Sequence, residues 1–375
     1  MNEIRALTGI RGIAALTVFL AHMQDALIPR GIDLSVPTLV ERLLLSGGRQ
    51  VDIFFVLSGF ILTLIYSTWF DSGVSVSSYW KFLRKRLARI YPLQAFMLIL
   101  IASFALAAFL THAQVVNGLE RFGVASLVRS FLLIHAWGFD GPWGGTWNPP
   151  SWSISIEFLA YLVFPLFLWV TAGARRKHRW LLLVATLAFG FVCNTVTYWG
   201  LAGIPGISRG LSEFALGSVC AAFFVSAVAD WLRSNVGSAV ALLLLLVCYA
   251  LTPDINFGIA VCAAPLLLAL SGRNRVSAFF GWTPLHFLGE ISYSIYLGHF
   301  LFTSIAYRVV SPDWMRSSGW ATALGLACIV ALVLGLSTLT YYTIERPGRA
   351  WLSGSRAGTR LRRPDNQSRP GRSTA

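Results

Sequence analysis

Apolar residues fall in long runs along the chain, and short polar segments separate these runs. A helix needs about 20 mainly apolar residues to cross the hydrocarbon core of a bilayer. Eleven stretches approach that length, near 6-27, 51-70, 92-112, 124-138, 151-171, 180-200, 209-230, 237-251, 257-272, 287-307 and 319-342. The pattern therefore predicts an all-α fold, a polytopic bundle of transmembrane helices.

Clusters of Lys and Arg predict which loops face the cytosol, because cytosolic loops of membrane proteins are enriched in both residues. The clusters lie at 81-89, 175-179, 233, 273-275 and from 346 onward. All of these basic clusters can face the cytosol only if one of the eleven stretches does not cross the membrane. Stretch 124-138 is short and continues into a segment rich in Gly, Pro and Trp, so we expect it to re-enter the membrane or to lie at its surface. About ten crossings remain, with both termini in the cytosol.

Composition narrows the possible partners. Hydrophobic residues make up 56% of the chain and charged residues 12%, a balance that requires the bilayer as solvent. The net charge of +14 would suit nucleic acid, but the basic residues lie between apolar runs, so we expect contact with membrane lipids and no nucleic-acid binding. The five cysteines are scattered singly through apolar stretches, so neither a metal site nor a disulfide framework is predicted.

A single membrane domain is predicted at 1-350, without an internal repeat or a linker to a second domain. Residues 351-375 are rich in Ser, Arg, Gly and Pro, a composition that predicts a disordered, basic cytosolic tail. The first stretch carries Arg11 and His22 and lacks a small-residue cleavage site, so we expect it to stay in the mature protein.

The first two stretches contain three polar residues whose presence in a membrane-spanning helix needs an explanation. Arg11 and His22 are eleven residues apart, which places them within about 20° of each other on one helix face. Asp52 opens the second stretch at a depth similar to that of His22, where a carboxylate would orient an imidazole and stabilise its cation. Alternatively, Arg11 reaches the inner headgroups, His22 bonds to a neighbouring helix and Asp52 caps its own helix.

A basic segment precedes the third stretch. Arg86 and Arg89 stand at i, i+3 on one face of this segment, just before Pro92. Two guanidinium groups in this arrangement suit phosphate groups. They would equally suit the headgroups of anionic lipids.

Two later stretches also carry polar residues. Ser153 and Glu157 share a helix face, and Glu157 lies about two turns into the membrane, where a carboxyl group without solvent indicates a functional role. Trp152 and the tryptophans before it would stack on sugar rings or form an interfacial belt. Tyr293 and His299 lie in stretch 287-307, where they either bind substrate or form packing hydrogen bonds.

Taken in order, these motifs resemble the acyltransferase-3 family of membrane O-acyltransferases. The resemblance covers nearly the whole chain and rests on Arg11-x10-His22, Val51 to Phe60, Arg86-x-x-Arg89, Trp152 to Glu157, Ser292 to His299 and Glu345-Arg346-Pro347. It implies transfer of an acyl group, commonly acetyl from acetyl-CoA, to a hydroxyl of a carbohydrate or of a small natural product such as a macrolide. Some relatives fuse an extracytoplasmic hydrolase-like domain after the last crossing, and none is expected here.

The resemblance also implies roles for the polar residues, in a multi-pass protein of the bacterial inner membrane. His22 would act as general base on the acceptor hydroxyl, or as a transient acyl carrier, while Asp52 or Glu157 orients it or balances its charge. The phosphates of acyl-CoA, the co-substrate, would bind Arg11, Arg86 and Arg89. The substrate would contact Trp152, Ser153, Tyr293 and His299. No metal is implied.

Two rival functions would also account for part of this pattern. A transporter or flippase of lipid-linked saccharides also needs buried Arg, His and Glu, but it has no evident use for paired cytosolic arginines beside a same-face histidine. A scaffolding protein with an inactive fold of this type would be expected to lack Arg11 or His22, and this chain has both.

Overall fold

The computed structural model describes residues 3–354, except 33, 35–36, 71–74, 112–122, 140–145, 174–177, 197–199 and 252–256. Within these ranges the chain is helical and has no strand. The α-helices are α1 Arg5–Leu27, α2 Thr38–Leu45, α3 Gln50–Tyr66, α4 Val76–Leu110, α5 Val124–Phe131, α6 Trp152–Gly173, α7 Arg179–Val196, α8 Gly203–Ala221, α9 Ala227–Leu232, α10 Asn235–Leu251, α11 Gly258–Leu270, α12 Arg275–Phe280, α13 Thr283–Glu290, α14 Ser292–Val309, α15 Pro312–Met315, α16 Gly319–Thr340 and α17 Arg346–Ser353.

The predicted all-helical membrane fold is supported by the length and composition of these helices. Five segments are long and apolar enough to cross a bilayer, namely Arg5–Arg30, Gly47–Tyr66, Val76–Leu110, Pro149–Thr171 and Gly319–Ser353. Three shorter apolar helices lie at Arg179–Thr195, Asn235–Leu251 and Gly258–Leu270. The two remaining predicted crossings correspond to α8 and α14, which carry more polar residues. The number of crossings and the side of each terminus stay predictions.

In three segments the helices have other bounds than the apolar pattern predicts. In stretch 124-138 the helix α5 has only 8 residues, too few to cross a bilayer. The basic segment and the third stretch form one helix of 35 residues, α4, with Pro92 inside it. The last helix continues to Ser353, three residues beyond the predicted domain boundary, and residues 355–375 of the predicted tail lie outside the described residues.

Glycines allow α3 and α8 to approach each other closely. A methyl group on Gly59 would lie 2.0 Å from the carbonyl oxygen of Phe214, and one on Gly217 would lie 1.9 Å from the carbonyl oxygen of Val56. No side chain larger than hydrogen fits at either position, as expected where small residues bring membrane helices together. This contact fixes α3, which forms one wall of the site.

A helix break brings α14 against α1. Helix α13 ends at Glu290, Ile291 adopts a non-helical conformation, and α14 begins at Ser292. A methyl group on Gly289 would lie 1.9 Å from the carbonyl oxygen of Thr8, so the end of α13 touches the backbone of α1. Both helices can therefore contribute polar side chains to the same region.

Candidate active site

A cavity of about 160 Å³ lies between α1, α3, α4, α6 and α14. Its walls are largely apolar. Six of the residues predicted for the site line it, namely Arg11, Arg86, Arg89, Ser153, Glu157 and Tyr293. The fold thus collects side chains from four helices that are distant in sequence. His22, Asp52, Trp152 and His299 lie outside the lining of this cavity.

Three arginines make part of the cavity strongly positive. Arg11 makes no hydrogen bond to any residue that the structure describes. Arg86 donates from Nη2 to the hydroxyl of Tyr66 at 3.0 Å, while its buried Nε has no partner in the described ranges. Arg89 donates from Nη1 to Oε1 of Glu345 at 3.1 Å. Guanidinium groups with unused donors beside an apolar cavity are suited to an anionic ligand.

Glu157 is held at the cavity wall by two hydroxyl groups. Ser58 Oγ donates to its Oε1 at 3.0 Å, and the Tyr161 hydroxyl donates to the same oxygen at 2.5 Å. Both donors also line the cavity. Sequence reasoning missed Tyr161, which stands one turn after Glu157 on the same face of α6.

Hydrogen bonds fix the tyrosines of α14 in the cavity wall. The Tyr296 hydroxyl donates to the carbonyl of Pro150 at 2.9 Å, so its oxygen is left to accept from Ser153 Oγ at 2.8 Å. The Tyr293 hydroxyl donates to the carbonyl of Ile90 at 2.6 Å. These bonds anchor α14 to the start of α6 and to α4.

His22 and His299 form a pair beyond Tyr296. Their ring centroids are 5.1 Å apart, and the Tyr296 ring lies 6.1 Å from that of His299. Nδ1 of His22 lies 2.9 Å from the carbonyl of Val18, and Nδ1 of His299 lies 2.6 Å from the carbonyl of Tyr296. Because a carbonyl only accepts, both Nδ1 atoms carry hydrogen, and in the neutral form of each ring Nε2 keeps a lone pair. A half-buried His22 with a free Nε2 is suited to take a proton from a hydroxyl group.

The predicted pairing of Asp52 with His22 is wrong. Asp52 is completely buried, and its Oδ1 accepts from Arg209 Nε at 2.9 Å and from Nη2 at 2.5 Å. Glu213, also completely buried, has its Oε1 3.6 Å from the same Nε of Arg209. A guanidinium that offers two N–H groups is a stronger partner for a carboxylate than a neutral imidazole. Whether Asp52 takes part in catalysis stays a prediction.

Sequence reasoning missed Arg209 and Glu213. They stand four residues apart inside an apolar stretch, where an opposite-charge pair on one helix face is itself a signal of buried polar structure. That spacing would have found the pair. It would not have shown that Asp52 joins it, because the contact depends on how α3 packs against α8.

Trp152 is not placed to stack on a sugar ring. It is buried between Phe55, whose ring centroid is 6.2 Å away, and the guanidinium of Arg209, which lies 5.5 Å from the indole centroid. The indole ring is thus already in contact with other side chains of the protein, and a cation–π contact of this kind stabilises their packing. The predicted substrate contact at Trp152 is therefore not supported by its surroundings.

Glu345 pairs with an arginine of the site, although the sequence marked it only as part of the Glu345-Arg346-Pro347 motif. A π-helical turn at Tyr341–Glu345 interrupts the junction of α16 and α17, and Glu345 is buried there. Its Oε1 accepts from Arg89 and its Oε2 accepts from Ser294 Oγ at 2.8 Å. Turns of this type often occur at functional sites. The turn links the last helices to the arginines of α4.

Comparison with known proteins adds independent information. A family model described as an acyltransferase domain matches residues 4–342. Acyltransferase MdmB of Streptomyces mycarofaciens is 30% identical, over 92% of this chain and 91% of that protein. Peptidoglycan O-acetyltransferase OatA of Listeria monocytogenes is 22% identical over 92% of this chain, which spans only 56% of that protein. No solved structure matches the chain.

Proposed function

Since the chain belongs to the acyltransferase-3 family, we propose that it transfers an acyl group, most simply acetyl, from acyl-CoA to a hydroxyl group of a carbohydrate. The observation that carries this proposal is the unpaired guanidinium of Arg11 in a cavity shared with Arg86 and Arg89. Acyl-CoA is a cytosolic polyanion with a long, narrow arm. Its phosphates would bind the arginines while the arm enters the apolar cavity.

The reaction needs a base at the far end of the cavity. The acceptor hydroxyl would give its proton to Nε2 of His22 as its oxygen attacks the thioester carbonyl carbon. The new carbon–oxygen bond forms, the carbon–sulfur bond breaks, and the leaving thiolate takes the proton back from His22. The Nδ1–H bond to Val18 holds the ring in the tautomer that this step requires. Tyr296 lines the cavity and its ring lies 6.1 Å from that of His299, so the thioester would pass this side chain on its way to His22.

The acceptor class rests on the names of relatives. The Listeria relative is named as a peptidoglycan O-acetyltransferase, which favours a carbohydrate of the cell surface or its lipid-linked precursor. The Streptomyces relative matches along almost its full length and is named only as an acyltransferase. That match, with a protein of similar length, keeps a small natural product such as a macrolide as the second candidate. Either acceptor would be modified by a multi-pass protein of the inner membrane.

The proposal is tested by following thiol release from acetyl-CoA by the purified protein in detergent, with a panel of saccharide and macrolide acceptors. We expect acceptor-dependent release that His22→Ala abolishes. His178→Ala is the matched control, because His178 is an exposed histidine before α7 and should not matter.

Equal turnover by the parent and His22→Ala would refute the assigned base. A parent protein without turnover that moves a labelled saccharide across vesicles would replace the enzyme with a transporter. Acceptance of macrolides with rejection of saccharides would select the second candidate.

A further inference from the structure

Helix α17 lies along the basic half of α4. Arg84 donates from Nε to the carbonyl of Leu352 at 2.8 Å. A methyl group on Gly348 would lie 2.6 Å from Cβ of Pro92, so the two helices touch where Pro92 follows the paired arginines. The first turns of α17 are therefore fixed beside the part of α4 whose Arg86 and Arg89 line the cavity.

Arg349, on the second turn of α17, has no partner of its own. Its largest electrostatic interaction is repulsion by Arg89, and Arg86 adds to it. Glu345 attracts Arg349, but the oxygens of Glu345 already accept from Arg89 and from Ser294. Arg349 makes no hydrogen bond or ion pair to any residue in the described part of the chain. Its guanidinium therefore keeps all its donors for a ligand.

Positive charge accumulates at this point of the molecule. Arg11, inside the cavity, is also repelled by Arg89 and Arg349, and Glu345 and Glu157 are the carboxylates that attract it. The cluster consists of Arg11, Arg86, Arg89 and Arg349. Four guanidinium groups against two carboxylates leave a surplus of positive charge near an apolar region, where the repulsion is poorly screened. A ligand with several negative charges would remove that cost.

We propose that Arg349 completes a site for a ligand with more than one phosphate group, and that in acyl-CoA it contacts the 3′-phosphate of the nucleotide. This assignment rests on the proposed function, because it takes acyl-CoA as the donor. Arg349 is exposed, whereas the side chain of Arg89 is only 18% exposed, so Arg349 is the outermost of the two. The nucleotide is the end of acyl-CoA farthest from the thioester, and it would reach the outermost cation.

Arg349 also lies beyond the region that the family comparison covers. The match to the acyltransferase domain ends at residue 342, seven residues before Arg349. The contact is therefore inferred from the way α17 packs in this chain.

The test measures binding of CoA and dephospho-CoA, which lacks the 3′-phosphate, to the full-length protein in neutral detergent without added lipid. We expect the parent to prefer CoA by about tenfold, the effect of one charge-assisted phosphate contact. Arg349→Gln should bind CoA about tenfold more weakly and lose the preference, while Arg349→Lys keeps part of it. Arg308→Gln, which removes one exposed positive charge from the end of α14, is the control and should bind both ligands as the parent does.

The outcomes separate this assignment from the proposed function. A parent that binds CoA together with an Arg349→Gln variant that keeps the full preference would overturn the assignment alone. A parent that does not bind CoA would overturn both. If Arg349→Gln leaves CoA binding unchanged but no longer retains phosphatidylglycerol from mixed micelles, then the phosphate belongs to a lipid headgroup and the nucleotide contact is wrong.

Discussion

The imidazole of His299 is buried against that of His22, and its Nε2 has no hydrogen-bond partner among the described residues. An unsatisfied buried nitrogen costs about 1–3 kcal/mol. Since Nδ1 is committed to the carbonyl of Tyr296, Nε2 is free to accept a hydrogen bond. A second hydroxyl group of the acceptor, next to the one that reacts at His22, would supply it, which is how a substrate contact at His299 would work.

Two variants of His299 distinguish the roles of its two ring nitrogens. The amide of Asn reaches the place of Nδ1, and the amide of Gln reaches the place of Nε2. We expect His299→Asn to raise the KM for the acceptor about tenfold or more, with the KM for acetyl-CoA unchanged, because only the bond from Nε2 is lost. His299→Gln should keep most of the acceptor affinity. Equal acceptor KM values for the two variants would show that His299 has only a packing role.

The Asp52–Arg209 pair predicts a loss of stability. Removing one partner leaves a charged group buried without compensation, which costs about 3–5 kcal/mol. Arg209→Gln should therefore lower the thermal midpoint in detergent strongly, because Asp52 and Glu213 would remain as two buried carboxyl groups. Asp52→Asn combined with Arg209→Gln should be more stable than Arg209→Gln alone. Additive losses in the double variant would contradict a direct interaction between the two side chains.

The sequence identified most residues of the site but not their partners. Arg11 and Glu157 were recognisable because an ionisable group in an apolar stretch needs an explanation, and Arg86 and Arg89 because of their spacing in a basic segment. All four line one cavity. The helical spacing that placed Arg11 and His22 on one face said nothing about what lies opposite each of them. Partners such as Ser58, Tyr66 and Arg209 depend on packing between helices, which a residue pattern does not encode.

Helix boundaries were predictable where hydrophobic length decides them. Each of the ten predicted crossings overlaps a helix of the structure, although 209-230 and 287-307 each extend over two helices. The pattern did not show that Pro92 lies within a continuous helix, or that a break separates α13 from α14. Both features are stabilised by neighbouring helices, since α17 packs on Pro92 and the backbone of α1 packs on Gly289.

The close contact of α3 with α8 predicts which glycines tolerate a larger residue. Gly217→Ala places a methyl group 1.9 Å from the Val56 carbonyl oxygen, so the helices must separate. We expect a loss of about 1–3 kcal/mol in stability, the usual cost of overpacking. Thermal unfolding in detergent would measure it.

Gly335→Ala is the matched control for this substitution. Gly335 lies within helix α16 and has nothing within 4 Å of an added methyl group. Because Ala favours helix more than Gly does, this variant should be as stable as the parent or slightly more stable. If both substitutions change the thermal stability equally, the close approach of α3 and α8 does not depend on Gly217.

At the scale of the whole molecule, contacts at the two ends of α1 agree with the topology predicted from basic residues. At the amino-terminal end, Nε2 of His286 lies 3.0 Å from Oε1 of Glu3, and both residues are predicted on the cytosolic side. At the other end, Arg316 donates to the carbonyl of Arg30 at 2.7 Å, and both are predicted outside. Two loops far apart in sequence thus meet α1 on the sides that the charge pattern assigns to them.

This topology predicts which positions a membrane-impermeant thiol reagent reaches. In a variant whose native cysteines are replaced, Ser317→Cys should react in right-side-out vesicles, because Ser317 is exposed in the connection between α15 and α16 that is predicted to face outward. Arg273→Cys, exposed in the predicted cytosolic loop before α12, should react only after the vesicles are opened. The ten-crossing arrangement requires this opposite behaviour, because two predicted loops joined by a single crossing must lie on different sides. Reaction of both positions from the same side would mean that stretch 287-307 does not cross. The arginines of the cavity and the acceptor side of His22 would then have to be assigned to the membrane faces anew.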